Sequence, residues 1–235
     1  YISFQYELTP FLKFGNDKNV IAVKVDNSEQ PNSRWYTGSG IYRNVWLETT
    51  NFIHVQQYGI VVSTPVVTKQ NATVELKTRI TQPFGHSTSY NANLITRIYD
   101  DSNRLIGQSL KTIPMSDNPV VVQKIEITQP RLWSTTKPCL YKAISQIKVN
   151  KSVYDQQTTL FGIRYFNFDS EKGFSLNGKP MKILGVCMHH DLGALGAAVN
   201  TRAIERQLQI LKTMGCNALS TAHNPPAPAF LDLCD

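Results

Sequence analysis

The sequence predicts a mainly β chain that ends in the opening of an α/β fold with a parallel sheet. Three observations carry this reading. Residues 1–165 alternate apolar and polar side chains with a period of two, in short runs separated mostly by Asn, Asp, Gly, Pro or Ser. No long helical period interrupts those runs. From about residue 166 the order changes to strand, helix, strand, helix, at the spacing that parallel strands with helical crossovers require.

The elements follow in order. Val20 to Val25 reads as a short buried strand, and Tyr42 to Glu48 as another. This first block is too short for a complete β-domain and reads as the end of one. Ile60 to Ser63, Ala72 to Thr81, Ala92 to Tyr99, Val120 to Ile127 and Leu140 to Val149 are rich in Val, Ile, Thr and Tyr, with a hairpin turn at Asp100–Asn103. Five or more such strands over 52–165 predict an immunoglobulin-like sandwich. Phe168 to Leu176 reads as a hairpin closing at Asn177-Gly178, and Met181 to Val186 as a buried parallel strand. Thr201 to Met214 predicts a helix capped by Thr201, with Ile204, Leu208, Leu211 and Met214 on one face and Gly215 as its stop. A strand over Asn217 to Thr221 follows. A second helix starts near Ala227 and still runs at Asp235. A complete (β/α)8 barrel needs about 250 residues, so the chain reads as a fragment cut inside one.

Composition excludes several classes. The 235 residues are 41% hydrophobic and 17% charged, which is a globular balance. No apolar run approaches the about 18 to 20 residues of a membrane helix. Cys139, Cys187, Cys216 and Cys234 are far apart and form neither a CxxC motif nor a zinc pattern. The net charge of +7 sits entirely in residues 52–165, with thirteen basic against six acidic side chains. Lys69, Lys77, Arg79, Arg97 and Lys111 are scattered singly along strands, without interleaved stacking aromatics, so nucleic acid is not expected as a partner. Tyr1 to Leu8 already reads as a strand, with no leader pattern, and the compartment (periplasmic, secreted or cytoplasmic) stays open.

Several stretches point the same way. Val25-Asp26-Asn27 leads into Arg34-Trp35-Tyr36-Thr37-Gly38-Ser39-Gly40-Ile41-Tyr42-Arg43. Trp133-Ser134 precedes Pro138 and Leu140-Tyr141, and Phe161-Gly162-Ile163-Arg164 follows. Leu176-Asn177-Gly178-Lys179-Pro180, Leu184-Gly185-Val186, His189 and Asp191 come next, then Met214-Gly215-Cys216-Asn217-Ala218 and His223-Asn224-Pro225-Pro226. In this order and spacing the chain resembles glycoside hydrolase family 2, the β-galactosidase, β-glucuronidase and β-mannosidase family. The loop after His189-His190-Asp191 and the Asn-Pro-Pro ending are most similar to β-galactosidases.

The resemblance implies three domains: 1–51, the end of a jelly-roll sugar-binding domain; 52–165, the immunoglobulin-like sandwich; and 166–235, the first two βα units of the catalytic barrel. It implies a carbohydrate substrate, a β-galactoside, and the chemistry of a retaining glycosidase, in which two carboxylates about 5 to 5.5 Å apart flank the bond. In the family both are glutamates, on barrel strands four and seven. Neither lies in this chain, so the fragment is expected to be inactive alone. No metal or other cofactor is required by that chemistry. A homo-oligomer is compatible with the resemblance.

Barrel active sites form at the C-terminal ends of the strands. His189 follows the first barrel strand and His223 the second, and the resemblance gives both a sugar contact. Asn224 and Asp191 join them as substrate-binding candidates, Asp191 with an alternative role in ordering its own loop. Arg34 and Trp35, in a polar and aromatic loop of the first domain, complete the set, Trp35 with an alternative role in packing at a domain interface. One departure stands out: Ser220 occupies a position where the family commonly has Arg. A serine offers neither the charge nor the fork that would hold a nucleophilic carboxylate. The alternative reading is a non-catalytic carbohydrate-binding or structural sandwich protein with a degenerate barrel start. A third is a basic adhesion or nucleic-acid module.

Overall fold

The computed structural model describes residues 2–29, 39–82, 91–114 and 116–235. Contacts divide the chain into two compact units: Leu47–Ile183 with Asp235, and the described residues up to Trp46 with Leu184–Cys234.

The first unit is a sandwich. β1 (His54–Val67), β2 (Asn71–Thr81) and β5 (Val120–Thr128) form one antiparallel sheet in the order β1-β2-β5. β3 (Ala92–Tyr99), β4 (Leu105–Thr112), β6 (Tyr141–Val149) and β7 (Ser152–Phe161) form the other, in the order β4-β3-β6-β7. The predicted period is plain in the burial: inward residues of β3, β5 and β6 are buried at every second position. Two apolar clusters result, one around Leu76, Ile98, Ile125 and Ile163, the other around Ile53, Ile80, Leu94 and Ile147. Each such side chain contributes about 1.5 to 3 kcal/mol on burial.

A polar strip bridges the two sheets. Thr96, Gln123 and Ser145 are fully buried. The Thr96 hydroxyl donates to Gln123 Oε1 at 2.6 Å and lies 2.8 Å from Ser145 Oγ. Gln123 Nε2 donates to the carbonyls of Leu94 and Ser109. Such a strip is tolerable in a core only because its members satisfy one another.

Two of the stretches that carry the resemblance meet in this unit. Trp133 N–H donates to the Ile163 carbonyl at 2.8 Å, and the Arg164 guanidinium lies 4.6 Å over the Trp133 ring. Gly162 is required there, since a Cβ would fall 2.8 Å from Trp133 Cβ. Asn177 Nδ2 ties on the three-stranded meander of β8 (Phe166–Asp169), β9 (Gly173–Leu176) and β10 (Lys179–Pro180) by donating to the Trp133 carbonyl. The single hairpin expected there is thus two turns, the second at Asn177 and Gly178, both at positive φ.

The second unit holds the βαβα segment: β11 (Gly185–Met188), α1 (Thr201–Thr213), β12 (Ala218–Thr221) and α2 (Pro228–Cys234). β11 and β12 pair in parallel, as predicted. Two details differ from expectation. The helix cap is Asn200, whose side chain accepts from Ala203 N–H, and not Thr201. β11 starts four residues later than the apolar run suggests, because its register follows the partner strand from Gly185↔Ala218 to Met188↔Thr221.

The block before the sandwich is corrected more strongly. Among its described residues the only regular element is a 3-10 turn at Thr9–Phe11. Val20, Ile21 and Val23, and likewise Val45, Trp46 and Leu47, are exposed and unpaired in any strand ladder. An isolated apolar run has no neighbour to satisfy its backbone or cover its face, and it is not a strand without one.

Candidate functional site

The site is built by the parallel ladder. Asn217 N–H donates to the Leu184 carbonyl, and Leu184 N–H donates to Asn217 Oδ1, which closes its lower end. Gly185 lets the strands approach: a Cβ would stand 2.7 Å from the Ala218 carbonyl oxygen. Ala222 N–H donating to the Met188 carbonyl extends the ladder one step beyond Thr221. The two strand ends therefore lie side by side, and the residues leaving them are neighbours. His189 and His223 have ring centroids 5.4 Å apart, edge to face.

Strand alternation sorts the remaining side chains. Met188 and Thr221, with Ile204 of α1 and Phe230 of α2, line a cavity of about 50 Å³ on the helix side. Cys187 and Ser220 pair on the opposite face, which is exposed. Tyr42, Arg43, His189, His190 and Asn224 also line the cavity. Its volume is far below the about 300 to 1,000 Å³ of ligand clefts, so these residues by themselves do not enclose such a cleft.

Of the predicted site residues, His189, His223 and Asn224 are brought together at the strand ends. His223 is exposed and holds a φ of +71°, in the left-handed region. Asp191 is engaged by its own loop and by α1: its carboxylate accepts from Gly193 N–H and its carbonyl from Gln207 Nε2 of the helix. Arg34 and Trp35 lie outside the described residues.

Three neighbours were not singled out from the sequence. The Tyr42 ring lies 5.8 Å from the His190 ring, and the Arg43 guanidinium lies 5.2 Å over Tyr42. Arg43 Nη2 donates to the Pro225 carbonyl at 2.6 Å. Burial, and then the positive charge of Arg43, hold the His190 imidazole below the usual histidine range. Their only advance signal was that Tyr42-Arg43 closes one of the stretches that carry the resemblance. No group of three or more His, Cys, Asp or Glu side chains able to hold a metal occurs among the described residues. No helix among them is long and apolar enough to cross a membrane.

Comparison with known proteins decides the family. The model of glycosyl hydrolases family 2 matches residues 53–164, and that of its TIM barrel domain matches residues 169–235. The chain belongs to glycosyl hydrolases family 2. It is 49% identical over 237 residues to the β-galactosidase BoGH2A of Bacteroides ovatus, which covers all of this chain and 28% of that protein. A β-glucuronidase of Formosa agariphila is 30% identical over 259 residues, again across the whole chain and 26% of its own length. A β-glycosidase from Bacteroides vulgatus superposes with a TM-score of 0.84 at 34% identity, over 97% of this chain and 28% of that one. This family 2 chain therefore spans little more than a quarter of the proteins it resembles. The mainly β fold with the start of a TIM barrel, expected from the residues, is that of the family.

Proposed function

We propose that this chain is the N-terminal part of a retaining β-glycosidase that hydrolyses terminal β-galactosides, and that it is inactive alone. The observation that supports this best is the meeting of His189 and His223 at the C-terminal ends of adjacent parallel strands, the face where barrel enzymes act. In this reading the two imidazoles and Asn224 contact the sugar. The carboxylate pair comes from barrel strands beyond Asp235, one group protonating the leaving oxygen and the other attacking the anomeric carbon. The proposed domains are 1–51, 52–165 and 166–235. Galactoside is preferred over glucuronide because identity to the Bacteroides ovatus β-galactosidase, at 49%, exceeds the 38% and 30% to two Formosa agariphila relatives that bear the β-glucuronidase name.

The test is turnover of aryl β-galactoside and aryl β-glucuronide by the full-length protein and by residues 1–235. Galactoside cleavage by the full-length protein only is expected. A preference for glucuronide, or comparable turnover by the short chain, contradicts the proposal. A second reading, a non-catalytic carbohydrate-binding protein, is favoured by one observation: Ser220, on the exposed strand face beside Cys187, stands where the family resemblance expects an arginine. Sugar binding without turnover by the full-length protein would support it.

A further inference from the structure

His223 holds a backbone conformation that a residue with a side chain adopts at a cost, and such residues persist where their surroundings over-determine them. Two restraints flank it. On one side Ala222 N–H is tied to the Met188 carbonyl at 2.9 Å. On the other, the chain enters Pro225 and Pro226, which have fixed φ and no N–H to anchor them. The carbonyl of Pro225 is the point where that side is held, and Arg43 Nη2 reaches it at 2.6 Å. Arg43 is half-buried, and its Nε is buried with no hydrogen-bond partner among the described residues. A guanidinium is thus drawn out of solvent to reach a neutral carbonyl, which asks for an explanation beyond surface solvation.

The same dipeptide also touches the other histidine loop. The Tyr42 ring packs against His190, and the Tyr42 carbonyl accepts from Val199 N–H at 3.4 Å. Tyr42-Arg43 therefore joins the loop that follows β11 to the loop that follows β12.

We infer that Arg43 is a positioning residue, which holds His223 against His189 through the Pro225 carbonyl. The inference rests on the proposed role of His223 in sugar contact. A guanidinium reaches and holds this carbonyl with a rigid planar head, whereas the lysine ammonium is a point donor on a flexible stem, so Arg43→Lys keeps the charge and a donor but only part of the hold. Arg43→Met removes both.

The test uses the full-length protein and two readouts. On an aryl β-galactoside, Arg43→Met is expected to lower kcat on the order of 10²-fold, the effect of misplacing a catalytic neighbour by about 1 Å, with little change in KM. Arg43→Lys is expected to recover part of the loss. Independently of turnover, backbone amides of residues 219–224 are expected to exchange with deuterium faster in Arg43→Met than in the parent. Arg43→Lys should lie between, with exchange in β3 and β6 unchanged. Unchanged exchange at 219–224, or a rise spread equally into β3 and β6, overturns the inference. If the unsubstituted protein turns over no glycoside, the proposed function fails, and the exchange pattern still decides whether Arg43 holds the loop.

Discussion

Gly185→Ala tests how closely the site depends on strand spacing. The added Cβ would sit 2.7 Å from the Ala218 carbonyl oxygen and 3.1 Å from its carbon, where ordinary contact begins at 3.4 Å. β11 and β12 must therefore part by about 0.7 Å at that rung, because neither atom belongs to a movable side chain. The overpacking costs about 1 to 3 kcal/mol. It also shifts Met188 against Thr221, and with them His189 against His223. Since a displacement near 1 Å costs on the order of 10²-fold in rate, the full-length protein should lose roughly 10- to 100-fold in kcat on an aryl β-galactoside. A second substitution checks the cause. Ala218 Cβ is only at 3.4 Å from the new atom, so Ala218→Gly should not restore activity to Gly185→Ala. Undiminished kcat, or rescue by Ala218→Gly, would refute the reasoning.

Three further outcomes are expected. Thr96→Val removes the hydroxyl shared by Gln123 and Ser145 and should cost the sandwich about 2 to 6 kcal/mol, from two buried groups at about 1 to 3 kcal/mol each. A urea midpoint unchanged from the parent would show that the strip contributes nothing. Asn200→Ala removes the cap accepting from Ala203 N–H and should destabilise α1 by about 1 kcal/mol, whereas Thr201→Ala should not; equal effects on helix exchange would contradict the cap assignment. The His190 imidazole, held low by burial and then by Arg43, should titrate by NMR below the ordinary value of about 6.5. The unfolded chain then binds more protons, so this group's contribution to stability falls as pH drops below about 6.5. Arg43→Met should raise the midpoint, and a midpoint at or above 6.5 in the parent would contradict the burial assigned to it.

Legibility followed neighbours. Ala92–Tyr99 is read from sequence alone because the facing sheet covers one of its faces and leaves the other half-exposed, so its side chains alternate cleanly. Leu105–Thr112 and Ser152–Phe161 were missed because neither alternates cleanly: the first carries Gly107 and the second the polar run Asp155 to Thr159, and both are mostly exposed. Val20–Val25 had the opposite fault: β-branched composition with no sheet partner among the described residues. At the site, His189 and His223 could be placed because each directly follows a strand. The Arg43 contact could not, since it spans 182 positions and depends on a backbone carbonyl that no residue type advertises. The Asn200 cap was displaced by one residue because Asn and Thr are both good caps and stand side by side.

The central claim is that the two histidines at the strand ends serve chemistry on a sugar. The most direct measurement is the kinetics and melting temperature of His223→Ala in the full-length protein. Losing one contact made to developing charge typically costs about 2 to 4 kcal/mol of transition-state stabilisation, which is about 30-fold to 10³-fold in rate. In the variant, kcat and kcat/KM are expected to fall together by that factor, while the melting temperature stays unchanged because His223 is exposed. A lowered melting temperature with kcat intact would make His223 a structural residue and contradict the account.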